Sequence, residues 1–330
     1  MIKADRYIKE TIEEILKSGN EDKNPRPKWG DGSPAHTKYV TQKVFKYDIL
    51  KGEFPITTLR KTALKGAFYD IEAIYIKQTN IIEEMNPSIH SWWTDFVVGT
   101  TWFFEDEGSI LGITKDTKPN YSGYIGCKRS IGQTYGHTVK RYNLMDVLLN
   151  GMANSPFSRR HILNLWQEQQ MIDDPQALVP CAYMTNYNIR EEDVLVDYSY
   201  TGKSNGSPVY ETTRYVDMTL HQRSQDFCMT ASINPAQYVM FGMMICGHLT
   251  YVTGVGHKLA NFMHIVENCH IYDRHINAAK EILNREPILM QPRMYLDCEP
   301  KNFYDYTIED FVFVTPKGIE PLSEKLEIAI

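Results

Sequence analysis

The residues whose types and spacing could do chemistry are a cysteine and a short polar cluster. Cys181 ends the run ALVPC at 177–181, and the run QRSQD follows at 222–226. The thiolate is the reactive form of cysteine, and a guanidinium such as that of Arg223 lowers the pKa at which it forms. Arginine and serine are also good donors to phosphate. The pairing predicts a thiol nucleophile beside an anion site, and hence covalent attack on a phosphorylated substrate.

Further motifs stand in a fixed order on either side of this pair. They are Arg26 in a Pro- and Gly-rich segment, GEFPITT at 52–58, YG at 135–136, SRRH at 158–161, SIN at 232–234, HIY at 270–272 and the terminal Ala329 and Ile330. In this order they resemble the thymidylate synthase family over nearly the whole chain. The combination is specific for the family. It is less specific for the reaction, because members divide into synthases and pyrimidine-nucleotide hydroxymethylases.

The resemblance implies one-carbon transfer to C5 of dUMP from 5,10-methylenetetrahydrofolate. Cys181 would add to C6 of the pyrimidine, which makes C5 nucleophilic. The residues implied to bind the 5′-phosphate are Arg26, Arg223 and Ser224, with Arg159 and Arg160 donated from a second chain. The family likeness therefore also implies a homodimer that packs sheet against sheet and shares its active sites.

Asn234 matches the residue that distinguishes uracil from cytosine. An amide there serves O4 and N3–H of uracil, whereas cytosine-specific relatives have Asp, because cytosine presents an amino donor. Without the resemblance, Asn234 followed by Pro235 would be interpreted as the N-cap of a helix. His270 and Tyr272, at i and i+2, match the pair that binds the 3′-hydroxyl of the deoxyribose.

Other positions match residues that serve the folate or the C5 proton. Trp93 matches the tryptophan that packs on the folate, and Asp226 the aspartate that serves the pterin and the waters at the base. Tyr135 matches a tyrosine near the C5 proton. The tail at 327–330, ending in Ile330, matches the segment that closes over the folate. By itself an apolar C-terminus predicts nothing.

The chain departs from the family pattern around the one-carbon unit. The family's ELLW is DIEA at 70–73, so the catalytic glutamate is either shortened to Asp70 or displaced to Glu72, and the family's WDEW is WTDF at 93–96. Residues at i and i+2 of a helix do not share a face, so one carboxylate at most touches the site. Phage deoxycytidylate hydroxymethylase is similar in having a second carboxylate two residues after the first.

These changes predict a different fate for the one-carbon unit. A hydroxymethylase positions a water where a synthase delivers hydride, and an added carboxylate favours the water. The preferred prediction is a phage-type deoxyuridylate hydroxymethylase that makes 5-hydroxymethyl-dUMP, and the alternative is a thymidylate synthase that makes dTMP. An inactive relative that binds nucleotide or RNA is a remote alternative, because a binder has no need for Cys181.

Composition limits the partners and the compartment. With 330 residues and a net charge of −6, the chain is large enough for a substantial core and too acidic for a general nucleic-acid surface. The charged N-terminus does not resemble a signal peptide, and no apolar run is long enough for a membrane span. The six cysteines lack zinc-site spacing, so no metal is expected. A reducing cytosol is the expected compartment, that of the host if a phage encodes the chain.

The elements that position these residues follow from periodicity and turn residues. Apolar spacing predicts helices at 8–16, 69–80, 145–152, 234–249 and 276–284, and a hairpin over 196–222 with its loop at 202–208. Strands and helices do not alternate regularly, which favours an α+β fold. The resemblance implies a single domain over 1–330, with a large mixed sheet flanked by helices and an insertion at about 97–129.

Overall fold

The computed structural model describes residues 1–104, 110–114, 124–196 and 209–330. The hairpin loop predicted at 202–208 lies outside the described residues, as do parts of the predicted insertion. Within the described ranges, no helix is long and apolar enough to cross a membrane.

A mixed seven-stranded sheet forms the centre of the fold. The described residues form twelve strands, seven of which belong to this sheet. They are β1 (Asn20–Glu21), β2 (Thr37–Asp48), β3 (Gly99–Phe104), β4 (Ile110–Thr114), β5 (Tyr124–Ser130), β6 (Ile162–Asn164), β7 (Ala182–Val196), β8 (Val209–Gln222), β9 (Gln225–Asp226), β10 (Gly256–Tyr272), β11 (Arg293–Leu296) and β12 (Phe311–Val314). The large sheet has the order β1-β2-β10-β8-β7-β6, with β9 also beside β10. Strand β10 is parallel to β8 and antiparallel to β2. The predicted α+β fold with a large mixed sheet is confirmed.

The helices flank this sheet. They are α1 (Lys3–Ser18), α2 (Leu64–Ile71), α3 (His90–Trp93), α4 (Gly136–Arg141), α5 (Leu144–Asn154), α6 (Glu168–Asp173), α7 (Phe227–Thr230), α8 (Ile233–Thr253) and α9 (Ile276–Asn284). Helix α8 is apolar around most of its circumference, which is typical of a helix buried on all sides. It packs against β10, α2 and α5. The core therefore surrounds α8.

Helix bounds match the sequence predictions in some places and correct them in others. Helix α9 has the predicted bounds, and α5 differs by a residue or two at each end. The helix predicted at 69–80 instead begins at Leu64, and a π-helical turn at Glu72–Ile76 ends it. The backbone N–H of Lys77 bonds to the carbonyl of Glu72 at 2.8 Å, which closes the wider turn.

The start of α8 corrects the interpretation of Asn234 as an N-cap. The N-cap is Ser232, and Asn234 is the second residue of the helix. Pro235 is still in the first turn, where backbone N–H groups have no intrahelical acceptor and its missing N–H costs nothing. The amide of Asn234 is therefore not occupied by capping.

The predicted hairpin is formed by β7 and β8, which pair antiparallel over their whole described length. Its second arm alternates as predicted, with Val216, Met218 and Leu220 buried. Its first arm begins at Ala182 and not near Val196, so it directly follows Cys181. The register shifts between Ala182 and Met184, and such irregularities redirect side chains next to functional sites.

The segment predicted as an insertion contributes a separate small sheet. Where it is described, it forms the antiparallel strands β4, β3 and β5 in that order. That it is an insertion relative to the family, and that the chain is one domain, stay predictions.

Steric constraints explain why a glycine follows Tyr135. Tyr135 has a positive φ of 46°, and a Cβ added at Gly136 would lie 2.2 Å from the backbone oxygen of Thr79. Replacing Gly136 with Ala should therefore lower the free energy of unfolding by roughly 2 kcal/mol or more. Gly30→Ala, where a Cβ meets no atom within 4 Å, is the matched control and should change it by at most about 0.5 kcal/mol. Equal denaturant midpoints for the two variants would contradict this account.

Candidate active site

A cavity of about 2260 Å³ collects most of the predicted site residues. The predicted catalytic residues on its wall are Asp70, Tyr135, Cys181 and Asp226. The predicted nucleotide-binding residues on it are Arg26, Arg223, Ser224, Asn234, His270 and Tyr272. Trp93 and Ile330, predicted for the folate, also line it. Glu72, Arg159 and Arg160 do not.

Cys181 is held where β7 begins beside the end of β8. Its backbone N–H donates to Tyr135 Oη at 3.0 Å, and its carbonyl accepts from the Arg223 backbone at 2.8 Å. The Arg223 guanidinium donates to the carbonyls of Pro180 at 3.0 Å and Val179 at 2.7 Å, and its Nη2 lies 3.6 Å from Cys181 Sγ. The arginine therefore fixes the loop that carries the thiol and places a positive charge beside the sulfur.

Burial opposes the effect of this positive charge on the thiol. Burial raises the pKa of Cys181, and the positive charges of Arg223 and Arg26 offset this only in part. The sequence suggested a lowered pKa, but the desolvation of a thiolate was not visible there. A raised pKa disfavours the thiolate, the nucleophilic form, at neutral pH.

Asp70 is a buried carboxyl group with two protein donors. Its Oδ1 accepts from Trp93 Nε1 at 2.7 Å, and its Oδ2 accepts from Gln237 Nε2 at 2.7 Å. Burial raises the pKa of Asp70, and the two hydrogen bonds lower it. Burial is the larger effect, so the resulting pKa is about 6. The group can thus exchange a proton near neutral pH, as a general acid or base must.

Glu72 lies on another side of the π-helical turn. Its Oε2 is 3.0 Å from Nζ of Lys77, and the residue is absent from the cavity wall. As the i and i+2 spacing predicted, only one of the two carboxylates faces the site. The structure places Asp70 there, and it does not bring the second carboxylate to the one-carbon position.

The amide of Asn234 is held by two glutamines. Its Nδ2 donates to Gln237 Oε1 at 3.0 Å, and its Oδ1 accepts from Gln222 Nε2 at 3.2 Å. Neighbouring on β10, the rings of His270 and Tyr272 lie 5.0 Å apart. Burial lowers the pKa of His270, so the imidazole is neutral; its Nδ1 lies 3.1 Å from Asn268 Oδ1, which leaves Nε2 as an acceptor.

The C-terminal tail forms one side of the cavity. Ile330 and Lys28 exchange both backbone hydrogen bonds, at 2.6 and 2.9 Å. His275 Nε2 lies 3.1 Å from the carbonyl of Glu327 and its Nδ1 lies 3.2 Å from Asp226 Oδ2. Asp226 also accepts from the backbone N–H of Met229 at 3.1 Å and so caps α7. The tail is therefore attached both to the Arg26 loop and to the floor of the site.

Arg159 and Arg160 lie on an exposed turn between α5 and β6. Residues that sequence reasoning missed are Arg60, Gln222 and Gln237, all of which line the cavity. Gln237 is three residues after Asn234 on α8, so helical spacing alone places it on the same face. Gln222 directly precedes the Arg-Ser motif. Gln222 lies within the QRSQD run and Gln237 at helical spacing from Asn234, but a glutamine by itself does not indicate a buried site residue.

Comparisons with known proteins indicate the same family over nearly the whole chain. The model of the family described as "Thymidylate synthase" matches residues 6–325. The chain belongs to the thymidylate synthase family. Thymidylate synthases of Streptococcus pneumoniae (strain 70585) and Streptococcus gordonii (strain Challis) are 35% and 34% identical to it, each over 100% of both chains. The solved structure of thermostable thymidylate synthase A from Bacillus subtilis has a TM-score of 0.71 and 27% identity over 99% of each chain.

Membership makes the chain a folate-dependent one-carbon transferase that uses 5,10-methylenetetrahydrofolate as its donor. The cavity suits this. A volume of about 2260 Å³ exceeds the roughly 300–1,000 Å³ of a site for one small molecule. Trp93, Leu326 and Ile330 give it an apolar wall that fits a pterin, and Arg26 and Arg223 give it a cationic part.

The raised pKa of Cys181 can be tested by its alkylation. Iodoacetamide reacts with the thiolate, so the labelling rate of Cys181 should reach half its maximum above about pH 8.5. Peptide mass spectrometry follows Cys181 and the exposed Cys127 in one sample, with Cys127 as the reference for reagent reactivity. Arg223→Gln should move the Cys181 midpoint higher still. A Cys181 midpoint at or below about 8.5 would show that the two arginines outweigh burial.

Proposed function

We propose that this protein is a thymidylate synthase that converts dUMP to dTMP. The observation that supports it best is that the Cys181 thiol, the Arg223 guanidinium and the Asn234 amide face one cavity beside Asp70, whereas Glu72 is outside it. The first three groups suit a nucleophile, a phosphate and a uracil edge. The absence of Glu72 from the wall removes the second carboxylate that favoured hydroxymethylation.

Cys181 acts as the nucleophile. As the thiolate, its sulfur forms a bond to C6, and the electrons of the C5–C6 double bond move toward C5 and O4. This bond breaks again, and the double bond is restored, once C5 carries the one-carbon unit and has lost its proton. The free N–H of Asn234 stabilises the charge on O4 as an oxyanion donor does, which is worth most in a desolvated site. Tyr135 Oη accepts from the Cys181 N–H, so it lies beside the nucleophile, and it relays the proton that C5 later loses.

Other residues bind the phosphate and the deoxyribose of the nucleotide. Arg26, Arg223 and Ser224 bind the phosphate dianion, which a protein with a net charge of −6 must attract by a local cluster. His270 and Tyr272 bind the 3′-hydroxyl. When bound against Trp93 and the tail, the folate supplies the one-carbon unit and the hydride. The tail, already paired to Lys28, excludes water from that reaction.

Hydroxymethylation was the outcome preferred from the sequence, and the geometry favours it less. A water that attacks the one-carbon unit needs a carboxylate to orient it. Asp70 already accepts hydrogen bonds from Trp93 and Gln237 on its two oxygens. The relatives found are named thymidylate synthases. 5-Hydroxymethyl-dUMP stays a prediction that product analysis decides.

Product analysis tests the reaction. With dUMP and 5,10-methylenetetrahydrofolate, we expect dTMP and an equal amount of dihydrofolate, measured by chromatography and mass spectrometry. Hydroxymethyl-dUMP with tetrahydrofolate would instead support the hydroxymethylase, and no product would support the inactive relative. Asp70→Asn should reduce turnover about 10²-fold or more, as expected for loss of a proton-transferring group. Glu72→Gln is the matched control and should leave both rate and product unchanged.

The site is proposed to be completed by a second copy of the chain. Arg159 and Arg160 are exposed and do not line the cavity of their own chain. We predict that Arg160→Ala and Cys181→Ala chains, each inactive alone, recover roughly a quarter of wild-type activity after random subunit exchange, because one site per heterodimer is intact.

The control for this mixture is exchange between two differently tagged Arg160→Ala chains, which should stay inactive. Tag capture shows that heterodimers have formed. If verified heterodimers of Arg160→Ala and Cys181→Ala have no activity, the active site is not shared in this way.

A further inference from the structure

A continuous set of hydrogen bonds connects the Asp70 carboxyl group to the residue that faces the base. Gln237 Nε2 donates to Asp70 Oδ2 at 2.7 Å, and Gln237 Oε1 accepts from Asn234 Nδ2 at 3.0 Å. Asn234 Oδ1 in turn accepts from Gln222 Nε2 at 3.2 Å. Gln222 Oε1 lies 2.8 Å from Nε2 of His264. One amide, that of Gln237, is therefore the link between the catalytic carboxyl and the base-binding amide.

The two ends of this set fix the direction of every amide in it. An ionised Asp70 can only accept, so Gln237 must turn its N–H₂ toward Asp70 and its oxygen toward Asn234. At the other side, Gln222 Nε2 also donates to the backbone carbonyl of Ser224 at 2.9 Å, and a carbonyl can only accept. Reversing any single amide would place two donors or two acceptors face to face. The direction of each amide thus depends on the others.

His264 is compatible with this direction. Burial lowers its pKa to about 3, so the ring is neutral and carries a single N–H. That proton must be on Nε2 to meet the oxygen of Gln222. The buried histidine therefore ends the set as a donor, as Asp70 ends it as an acceptor.

The orientation of the Asn234 amide determines which pyrimidine base it can bind. In this arrangement Asn234 has one N–H and one oxygen lone pair left for a ligand, with their positions fixed. They match the O4 acceptor and the N3–H donor of uracil. Cytosine presents the reverse pattern, an amino donor at position 4 and an acceptor at N3, and would require the Asn234 amide to turn over. That rotation would leave its bonds to both glutamines unmade, which is costly for buried groups.

We infer that Gln237 is a positioning residue that holds the Asn234 amide in the orientation for uracil by linking it to the ionised Asp70. The inference rests on the proposed dUMP substrate and adds a second determinant of base choice to it. Gln237 does not touch the reacting atoms in this role; it acts through Asn234 on the base and through its hydrogen bond on Asp70.

Gln237 is only 3% exposed, and its neighbours on α8 are mostly apolar. A residue that merely fills space there would be replaced best by methionine, which has a similar length and no polar group. A carboxylate would be the worst replacement, because it would lie next to Asp70. The positioning role predicts the opposite order for base selectivity. A glutamate at 237 would share a proton with the adjacent Asp70, so it can still bond to that carboxyl group and accept from Asn234 Nδ2, whereas a methionine can do neither.

The experiment compares equilibrium binding of dUMP and dCMP by calorimetry at pH 8, without folate, so that turnover plays no part. For Gln237→Met we expect the dUMP preference to fall about tenfold or more, and for Gln237→Glu to stay within about threefold of wild type. Gln170→Met is the control, because Gln170 is another buried glutamine, bonded to Thr138, that is absent from the cavity wall. It should not change the ratio. Gln237→Leu replaces Gln237→Met if the latter does not fold.

Turnover supplies a second readout. Gln237→Met removes one of the two hydrogen bonds that lower the pKa of Asp70, so the limb of the pH–rate profile near pH 6 should move to higher pH. Two outcomes would overturn the inference alone, provided that the wild type prefers dUMP. One is an unchanged ratio of dUMP to dCMP affinity in Gln237→Met, and the other is a larger loss of dUMP preference in Gln237→Glu than in Gln237→Met. A wild-type protein that does not prefer dUMP would overturn the proposed substrate and, with it, the inference.

Discussion

The site depends on the antiparallel pairing of β7 with β8 and on the arginine at the end of that pair. Pairing brings Cys181 beside Arg223, where the carbonyl of Cys181 accepts from the Arg223 backbone at 2.8 Å. The guanidinium then binds the carbonyls of Val179 and Pro180, so the loop before β7 cannot move independently of β8. A charge-assisted bond to a backbone oxygen is stronger than a neutral one. One side chain thereby fixes the nucleophile and supplies the positive charge beside it.

Burial shifts the pKa of the two groups that exchange protons in the same direction, but with opposite consequences for catalysis. It raises the pKa of both Cys181 and Asp70, because each is charged only when deprotonated. For Asp70 the shift is useful, since a pKa of about 6 allows both protonation states near neutral pH. For Cys181 it disfavours the nucleophile until substrate arrives. A thiol that stays protonated in the free protein is also protected from oxidation, which acts on thiolates.

Most of the fold and the site could be predicted from the sequence, but for two different reasons. Helix α9 and the second arm of the β7–β8 hairpin follow from apolar periodicity, a local property. Residues on the cavity wall, such as Cys181 and Asn234, were found through the order of family motifs. What failed required tertiary context. The apolar pattern did not distinguish the π-helical turn after Ile71 or the start of α8 at Ile233. The net direction of the Cys181 pKa depends on burial and on two arginines distant in the chain.

Asp70 and Gln237 illustrate why a single departure from a family pattern is hard to interpret alone. The resemblance left open whether the family's glutamate is shortened to Asp70 or displaced to Glu72, and a carboxyl group one methylene shorter reaches less far from its helix. Taken by itself this suggested a changed reaction. In the structure a long amide side chain from α8 spans the remaining distance and contacts both the carboxyl group and Asn234. The aspartate on α2 and the long amide on α8 thus form one hydrogen-bonded path to Asn234, so the chemistry must be inferred from the pair and not from either position.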